Sequence, residues 1–409
     1  MLSPPRRHFE FDLTTPEPIP DEGIDRACQL MRSGRLFRYR EEASGGPDEA
    51  GLLEVEMAEM TGCRYAVAVS SCGAAMFLAL RSSGLAAGDK VLTNSFTLAP
   101  VPGAIDHAGG IPVIVETTQD LTMDLGDLAA KASESGARWL LLSHMRGHIS
   151  NMDEVVRLCQ EFHVKLIEDC AHTFGATWAG KPSGTFGVAG CFSFQTFKHV
   201  NSGEGGVIVT NDEDVAAKAI LYSGSYMLYE QHKARPGQDV FERIRDEIPN
   251  YSMRMNAVAA AVARPQLLLL PERIAAMNKR YGLLATLLGK EPLIRLPERD
   301  DREHFVGSSI QFNIPSFTVE EMESFVDRCA GAGLHFNWFG RARMQGFTSR
   351  PDQWKFLRTE QPVPQASKLL STLCDMRVPP TLPLEECEIA AEIILDSIKH
   401  ISKDHGGGV

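Results

Sequence analysis

The pattern of apolar residues predicts seven β-strands between about residues 50 and 285. Their apolar positions are continuous rather than alternating, which is typical of strands covered on both faces. Stretches with helical spacing lie between them, for example 152–162, where Val155, Val156 and Cys159 recur on one helix face. This alternation favours an α/β fold with a mostly parallel sheet flanked by helices. The predicted strands are RYAVAVS (64–70), KVLT (90–93), PVIVE (112–116), RWLLLSH (138–144), KLIED (165–169), GCFSFQ (190–195) and GGVIVT (205–210).

The pattern changes past Leu284, where the segment GKEPLIRLPERDD predicts a domain boundary. The residues beyond it mix strand-like segments with two helix-like ones. We therefore expect three regions. They are an N-terminal arm at 1–45, a large α/β domain at 46–287 and a smaller α+β C-terminal domain at 288–409.

Composition narrows the class of protein. The 409 residues carry a net charge of −12, so we do not expect nucleic acid as a partner. None of the nine cysteines belongs to a CxxC pair, which disfavours a disulfide framework and favours a reducing cytoplasm. The N-terminal residues lack an apolar leader, and the most apolar stretch, 256–270, is interrupted by Arg264 and Pro265. We therefore expect neither an export signal nor a membrane span.

An acidic and a basic residue follow two of the predicted strands. Asp169 ends the strand at 165–169, and Lys198 follows CFSF shortly before Gly203-Glu204-Gly205-Gly206. Ligands of open α/β sheets bind at the carboxyl ends of the strands, so we expect the two side chains to converge there.

Pyridoxal phosphate requires such a pair. A lysine amine holds its aldehyde as a Schiff base, and a carboxylate keeps its ring nitrogen protonated. The segment SSCGAAMFLAL (70–80) supplies a phosphate site, because a strand ending at Val69 turns into a helix at Gly73. Ser193, five residues before Lys198, can add a hydroxyl group.

These residues resemble the DegT/DnrJ/EryC1/StrS sugar aminotransferases, which are pyridoxal-phosphate enzymes of fold type I. The likeness covers about 52–284 and extends more faintly to the C-terminus, where MRVPPTLPL is similar to a late segment of the small domain. It is strongest in EDCAHTFGA and FSFQTFKHVNSGEGG, which are specific together.

The resemblance implies roles for individual residues. Lys198, Asp169 and His172 are expected to be catalytic, with Asp169 at the ring nitrogen and His172 against the ring. The segment 251–255 matches a family segment that reaches into the neighbouring subunit, which implies a homodimer with shared active sites. The expected cofactor-binding residues are Cys72, Gly73, Leu98, Asp169, His172, Ser193, Lys198 and Ser252, and the expected substrate-binding residues are Arg146 and Asn250.

Four positions depart from the family pattern. The family's Ser-Gly-Thr is Ser71-Cys72-Gly73 here, which removes one hydroxyl contact to phosphate. Leu98 replaces the aromatic residue that commonly stacks on the ring, and Ser252 replaces an asparagine. The usual His-x-Tyr-Gly is His-Met-Arg-Gly, which places Arg146 beside the expected substrate opening.

Several side chains allow more than one interpretation. The Arg146 guanidinium suits a carboxylate of the amino donor or of an acidic acceptor, but a surface arginine or an interface ion pair is equally compatible with the sequence. We expect no metal at His144 and His148, because no third ligand lies at a useful spacing. The segment 338–343 is either a specificity lid or a packed turn.

The expected function is transfer of an amino group from an amino acid, L-glutamate, to a keto-sugar. The resemblance favours a nucleotide-linked acceptor in amino-sugar, surface-polysaccharide or secondary-metabolite biosynthesis. A free keto-sugar, a cyclitol precursor or a sugar acid remains an alternative acceptor, and a non-catalytic regulator that binds pyridoxal phosphate is an alternative function. Sugar dehydration on the same fold is disfavoured, because those relatives have a histidine in place of Lys198.

Overall fold

The computed structural model describes residues 7–39, 48–225, 227–343, 350–357 and 360–406, with side chains as far as residue 402. The strands are β1 (Tyr65–Val69), β2 (Lys90–Asn94), β3 (Ile111–Val115), β4 (Trp139–Ser143), β5 (Lys165–Asp169), β6 (Thr177–Trp178), β7 (Lys181–Pro182), β8 (Ala189–Ser193), β9 (Gly206–Thr210), β10 (Glu303–His304), β11 (Ser309–Asn313), β12 (Asn337–Trp338) and β13 (Leu373–Arg377). The helices are α1 (Asp21–Ser33), α2 (Glu49–Thr61), α3 (Cys72–Ser82), α4 (Pro100–His107), α5 (Leu125–Ser135), α6 (Met152–Glu161), α7 (Glu213–Ser223), α8 (Gln238–Ile244), α9 (Ala257–Leu288), α10 (Val319–Gly331), α11 (Pro364–Leu370) and α12 (Leu384–Gly406).

The central sheet has seven strands in the order β1-β9-β8-β5-β4-β2-β3. Strand β9 is antiparallel to both of its neighbours, and the other pairs are parallel. All seven strands coincide with predicted ones to within two residues at each end. The predicted mostly parallel sheet flanked by helices is therefore confirmed.

The direction of the strands brings distant parts of the chain to one edge of this sheet. Strands β1, β4, β5 and β8 all run the same way, so their carboxyl ends lie at the same edge, and the antiparallel β9 begins there. Helix α3 follows β1 directly and therefore begins at this edge as well. Two of the residues that end these strands, Asp169 and Ser193, are ones to which the sequence assigns chemistry.

Alternate residues of each strand enter different hydrophobic cores, because successive side chains of a strand point to opposite faces. Ala66 and Ala68 of β1 belong to the core that also contains residues of α2, α5, α6 and α9. Val67 and Val69 belong to the core on the other face, with α3, α4, α7 and α8. Burial on both faces explains why the strands are continuously apolar.

A third core lies in the C-terminal part of the chain. The three-stranded antiparallel sheet β11-β13-β12 packs there against α10 and α12. Helix α9 connects the first core, through Met277, with the third core, through Leu284. The N-terminal segment joins the third core through Phe9, whose backbone N–H donates to the carbonyl of Ala332 at 2.8 Å.

Among the described residues, no helix combines the length and the apolar character needed to cross a lipid bilayer. All nine cysteines are free thiols in the structure.

Candidate active site

Asp169, the last residue of β5, is buried and is held by hydrogen bonds from neighbouring loops. Its Oδ2 accepts from the Ser143 hydroxyl at 2.7 Å, and its Oδ1 accepts from the Ala171 backbone N–H at 3.1 Å. Ser143 ends β4, the strand beside β5. The carboxylate is therefore fixed at the carboxyl edge of the sheet.

Glu168, the residue before it, supports the loop that faces β5. Its fully buried carboxylate accepts backbone N–H groups from Gly184, Phe186 and Gly187 at 2.9, 2.7 and 3.1 Å. His144 Nε2 lies 3.2 Å from the same carboxylate. Glu168 thus connects β5 to the loop before β8.

His144 and Glu168 also lie beside Cys170, and ligand atoms of the three come within 4.8 Å of one another. The sequence did not suggest this group. The Glu168 oxygens already accept backbone N–H groups, and burial together with Glu168 raises the pKa of Cys170 well above its usual range. A protonated thiol is a poor metal ligand, so the contacts give the group a structural role.

Lys198 lies in the turn between β8 and β9. Its backbone N–H donates to the Gln195 carbonyl at 2.8 Å, and the turn closes through Thr196 N–H and the Gly203 carbonyl at 3.1 Å. Gly203 has a φ of +80°, a conformation that glycine adopts without strain. The sequence GEGG therefore fits the turn that presents the lysine.

The Lys198 amine contacts the ring of His172, with 2.9 Å between Nζ and Nε2. Burial and the nearby Arg146 lower the pKa of Lys198 to about 8, against the opposing effect of Asp169 and Cys72. Burial and Lys198 lower the pKa of His172 well below its usual range. A neutral His172 therefore accepts the hydrogen bond, and the lysine has a larger share of the unprotonated, nucleophilic form than an exposed lysine.

Helix α3 begins with a capped N-terminus at the same edge. The Ser71 hydroxyl accepts from the Ala74 backbone N–H at 3.0 Å, and the amides of Cys72 and Gly73 belong to the first turn, which has no intrahelical partners. A Cβ at Gly73 would meet only the Ser71 hydroxyl, at 3.7 Å, so the space beside Gly73 is open. The first turn of α3 can therefore accept an anion.

Cys72 itself makes a poor nucleophile. Its thiol donates to Asp169 Oδ1 at 3.8 Å. Burial and Asp169 raise the pKa of Cys72 well above its usual range. The thiol therefore stays protonated, so at Cys72 the backbone amide is the group suited to binding phosphate.

A pocket of about 670 Å³, open to solvent, has Lys198 in its lining. Its walls come from the loops after β4 and β5, from the turn between β8 and β9, from the N-terminal segment, from α9 and from the end of β13. Asp169, Cys72 and Ser193 do not line it. The lining residues are Leu13, Thr14, Thr15, Pro16, Glu17, Arg146, His172, Thr196, Phe197, Lys198, His199, Arg273, Met277, Ser308, Arg377, Val378, Pro379 and Pro380.

Arg146 lies in this pocket with 12% of its side chain exposed. Its Nη2 forms an ion pair with Asp375 Oδ2 at 2.8 Å, and its backbone has a φ of +55°, which is uncommon for a residue with a side chain. It is therefore neither a surface arginine nor free of partners, and the ion pair lies within one chain.

The remaining predicted residues differ in their burial and in whether they line the pocket. Ser193 ends β8 and is buried, and its hydroxyl accepts from Gln195 N–H at 3.4 Å. Leu98 packs with a separate buried cluster around Phe96 and does not line the pocket. Asn250 and Ser252 are exposed and bonded to each other, with Ser252 N–H donating to Asn250 Oδ1 at 2.8 Å.

The segment at 338–343 is packed at its beginning. Trp338 and Phe339 are buried, and the Trp338 indole N–H donates to the Ser371 carbonyl at 2.8 Å.

Sequence reasoning missed four polar residues of this region. Ser143 orients Asp169, Asp375 pairs with Arg146, and Arg377 and Arg273 line the pocket. Arg377 lies within MRVPPTLPL, the segment that resembles a late part of the family's small domain. That resemblance was the sequence signal that could have identified Arg377. Asp375 and Ser143 sit among apolar strand residues and carry no local signal.

Comparison with known proteins identifies relatives along most of the chain. The model of the DegT/DnrJ/EryC1/StrS aminotransferase family matches residues 31–392. A 3-amino-5-hydroxybenzoate synthase of Amycolatopsis mediterranei is 31% identical over 295 residues, which cover 71% of this chain and 73% of that protein. A GDP-perosamine synthase of Caulobacter vibrioides is 30% identical over 253 residues, which cover 62% of this chain and 64% of that protein.

Solved structures agree with the fold. The crystal structure of a 3-amino-5-hydroxybenzoic acid synthase superposes with a TM-score of 0.82 at 26% identity, covering 96% of this chain and all of that one. The aminotransferase PseC of Helicobacter pylori has a TM-score of 0.81 at 16% identity, covering 96% of this chain and 100% of that one, and supports the fold alone.

Proposed function

The chain belongs to the DegT/DnrJ/EryC1/StrS aminotransferase family, and on that premise we propose that it uses pyridoxal phosphate to transfer an amino group from L-glutamate to a keto-sugar. The observation that carries the proposal is the position of Lys198. Lys198 lines an open pocket, its pKa is lowered to about 8 by burial and Arg146, and it is near enough to Asp169 for that carboxylate to act on its pKa in the opposite direction.

The residues present fit pyridoxal phosphate. Lys198 is the group that reacts with the aldehyde, and Asp169 is the buried carboxylate suited to the ring nitrogen. The open first turn of α3, at Cys72 and Gly73, fits the phosphate, and the Ser193 hydroxyl is close in the fold because β8 ends at the same edge. These groups come from three separate segments of the chain, and the strand directions that bring β5, β8 and the start of α3 to one sheet edge support the proposal.

When bound, the coenzyme supplies a ring that withdraws electrons from the α-carbon of the donor. Asp169 would hold the proton on the ring nitrogen, and Ser143 keeps the carboxylate in place through its 2.7 Å hydrogen bond. The Lys198 amine would take the proton from the donor α-carbon and pass it to the carbon that carried the aldehyde, for which a pKa near working pH is favourable. His172 accepts a hydrogen bond from this amine and so orients it.

The names of the relatives support an acceptor whose carbonyl group lies on a ring, but they differ in the compound that is aminated. One is named for an aminobenzoate product and another for a GDP-linked amino sugar. We therefore propose a carbonyl group on a six-membered ring as the acceptor, a keto-sugar in the first place. L-glutamate as the donor is a proposal that rests on family resemblance.

We also propose a homodimer that shares its active sites and works in the cytoplasm. Asn250 and Ser252 are exposed and available to a neighbouring subunit. Leu268, on α9, is a large apolar residue with 81% of its surface exposed, which a subunit interface would cover. The free thiols of all nine cysteines fit a reducing compartment.

Reduction with borohydride tests the coenzyme site. We expect pyridoxal phosphate to become covalently attached to the wild-type chain at Lys198, as located by peptide mass spectrometry. Lys198→Ala should lose both this attachment and amino transfer, whereas Lys290→Ala, at an exposed lysine, should retain both. Attachment at another lysine, or none at all, would refute the site.

Asp169→Asn separates binding from catalysis. The variant should still attach the coenzyme at Lys198 but should transfer amino groups from L-glutamate about a hundredfold more slowly or worse, because a neutral amide cannot stabilise the protonated ring nitrogen. If the wild-type protein attaches the coenzyme and transfers no amino group from any amino acid, it is a non-catalytic binding protein instead.

A further inference from the structure

Four cationic side chains line the pocket beside Lys198: Arg146, Arg273, Arg377 and Lys198 itself. Two of them are neutralised by carboxylates of the same chain. Arg273 Nε pairs with Glu17 Oε2 at 2.8 Å, and Arg146 Nη2 pairs with Asp375 Oδ2 at 2.8 Å. Lys198 already has a role in the proposed function. Arg377 is therefore the cation of this pocket that has neither an ion-pair partner among the described residues nor an assigned role.

Asp375 is held in a position that commits it to Arg146. Its Oδ1 accepts from Gln311 Nε2 at 2.7 Å, and Gln311 Oε1 lies 2.7 Å from His148 Nε2. Because the Gln311 amide nitrogen donates to Asp375, its oxygen accepts, and His148 Nε2 carries the proton. This buried chain of hydrogen bonds holds the Asp375 carboxylate in place against Arg146.

Arg377, the last residue of β13, has no such partner. Its guanidinium lies 3.9 Å above the centre of the Phe197 ring. Within the part of the chain that the structure describes, no residue forms an ion pair or a hydrogen bond with this guanidinium. Burial and the neighbouring Arg146 lower the pKa of Arg377 from its usual value, against the opposing effect of Asp375, which acts on Arg377 without forming an ion pair with it.

A partly buried guanidinium with no anion is costly, and an oxyanion on a ligand would relieve that cost. Both substrates of an aminotransferase occupy the same pocket in turn. A donor amino acid brings a carboxylate, but a neutral acceptor would leave Arg377 unpaired during the second half of the reaction. A carboxylated acceptor would satisfy the same guanidinium in both halves.

We propose that Arg377, next to the Arg146–Asp375 ion pair, binds a carboxylate group of the carbonyl acceptor. The acceptor is then a ring-shaped keto acid or sugar acid rather than a neutral sugar. This inference rests on the proposed function and adds the substrate class to it.

The site favours a carboxylate over the diphosphate of a nucleotide-linked sugar. Arg377 lies close enough to Lys198 to be one of the groups that lower the pKa of that lysine, after burial and Arg146. An anion bound there is near the reacting carbonyl. A carboxylate on the reacting ring meets this condition, whereas a diphosphate is separated from the carbonyl by the sugar ring.

A matched pair of acceptors tests the proposal. The enzyme loaded with pyridoxamine phosphate is given 3-oxocyclohexanecarboxylate, its carboxamide or a nucleotide-linked keto-sugar, and the rate of amination is measured. The wild type should prefer the acid over the amide by about tenfold to a hundredfold, the usual range for a charged hydrogen bond. Arg377→Met, which keeps the apolar stem over Phe197, should remove this preference, and Arg377→Lys should retain part of it.

Arg243→Met serves as the control, since it removes one positive charge from an exposed surface ion pair and should leave the preference unchanged. The proposal is overturned if the wild type does not distinguish acid from amide, or if Arg377→Met still does. It is equally overturned if the wild type aminates the nucleotide-linked sugar faster than the acid, and Arg377→Met loses only this faster rate. That result would make the site a phosphate site.

Two further experiments distinguish the possible failures. The first compares L-glutamate with its 1-amide as amino donors. If Arg377→Met loses the preference for the donor acid but keeps the preference for the acceptor acid, the guanidinium binds the donor alone and the proposal is overturned. Calorimetry with glutarate and glutaramide measures anion binding without turnover, and Arg377→Met should lower the glutarate affinity about tenfold or more. Failure of coenzyme attachment at Lys198 with intact glutarate binding would refute the proposed function, not the anion site.

Discussion

At the scale of single residues, the reactivity of the site depends on the environment of one amine. Burial and Arg146 lower the pKa of Lys198 to about 8, whereas Asp169 and Cys72 act in the opposite direction. Only the unprotonated amine attacks an aldehyde, so the lowered pKa increases the reactive fraction at neutral pH by more than a hundredfold relative to an exposed lysine.

This environment predicts a pH dependence. The rate of coenzyme attachment at Lys198 should rise with pH and level off above about 8, where the amine is unprotonated. Arg146→Met removes the nearest repelling cation, so the pKa should rise towards 10.5 and the plateau should move to higher pH. Arg377→Met should produce a smaller shift in the same direction, because Arg377 is a weaker cause. The measurement is the rate of formation of the borohydride-reduced adduct as a function of pH.

Arg243→Met again provides the control and should follow the wild-type curve, since its ion pair lies on the surface. A midpoint that stays in place or falls in Arg146→Met would contradict the electrostatic explanation.

The sequence predicted those residues whose chemistry is unusual for their surroundings. Asp169 and Lys198 are charged residues that follow apolar strands, so each stood out locally. Ser143 and Asp375 are small polar residues in strands, and their importance comes from partners 26 and 229 positions away, at Asp169 and Arg146 (169 − 143 and 375 − 146). Such partners are set by the packing of strands, which a linear pattern does not encode.

At the scale of elements, the contact between β9 and α3 decides whether the phosphate site can form. Gly206 is the first residue of β9, and a Cβ there would lie 2.5 Å from the Ser71 carbonyl carbon and 2.7 Å from the Cys72 nitrogen. Only glycine lets the strand approach the helix start this closely. The GEGG motif thus serves two elements, the turn that presents Lys198 and the first turn of α3.

Gly206→Ala should therefore displace the first turn of α3 and weaken phosphate binding. We expect the affinity for pyridoxal phosphate to fall about tenfold, in line with the cost of overpacking, and the affinity for pyridoxal, which lacks the phosphate, to change much less. Titration by absorbance measures both. Gly282→Ala is the matched control, because a Cβ there meets no atom within 4 Å. Equal losses for the two ligands would show that α3 does not hold the phosphate.

At the scale of the whole molecule, the proposed homodimer would complete the site with residues of a second copy of the chain. Asn250 and Ser252 are bonded to each other on an exposed segment and do not line the pocket of their own chain. Their predicted contacts with the cofactor and the substrate therefore require a partner subunit. Ser252 has a φ of +54°, which fixes its exposed side chain in an uncommon backbone conformation.

Mixing two inactive variants tests the shared site. Lys198→Ala lacks the reacting amine, and Ser252→Glu should place a negative charge against the partner's phosphate and abolish activity. Random mixing makes about half of the dimers hybrid, each with one intact site, so activity should recover to about a quarter of the wild-type value. The measurement is amino transfer from L-glutamate after joint refolding or coexpression, with sedimentation to confirm the dimer.

Ser324→Glu, on the exposed face of α10, is the control and should keep full activity by itself. A monomer in sedimentation, or an active Ser252→Glu protein, would contradict the shared site.

The sequence by itself determined the strands of the central sheet, its mostly parallel character and the pair Asp169 and Lys198 that we propose for the coenzyme site. These features follow from local signals, namely continuous apolar runs and charged residues at their ends. The tertiary structure alone decided that Arg146 is paired with Asp375 and that Arg377 lines the pocket without an ion-pair partner among the described residues. The pairing of a buried charge depends on which strands and loops lie beside it in space, and residues far apart in the chain carry no mark of that arrangement.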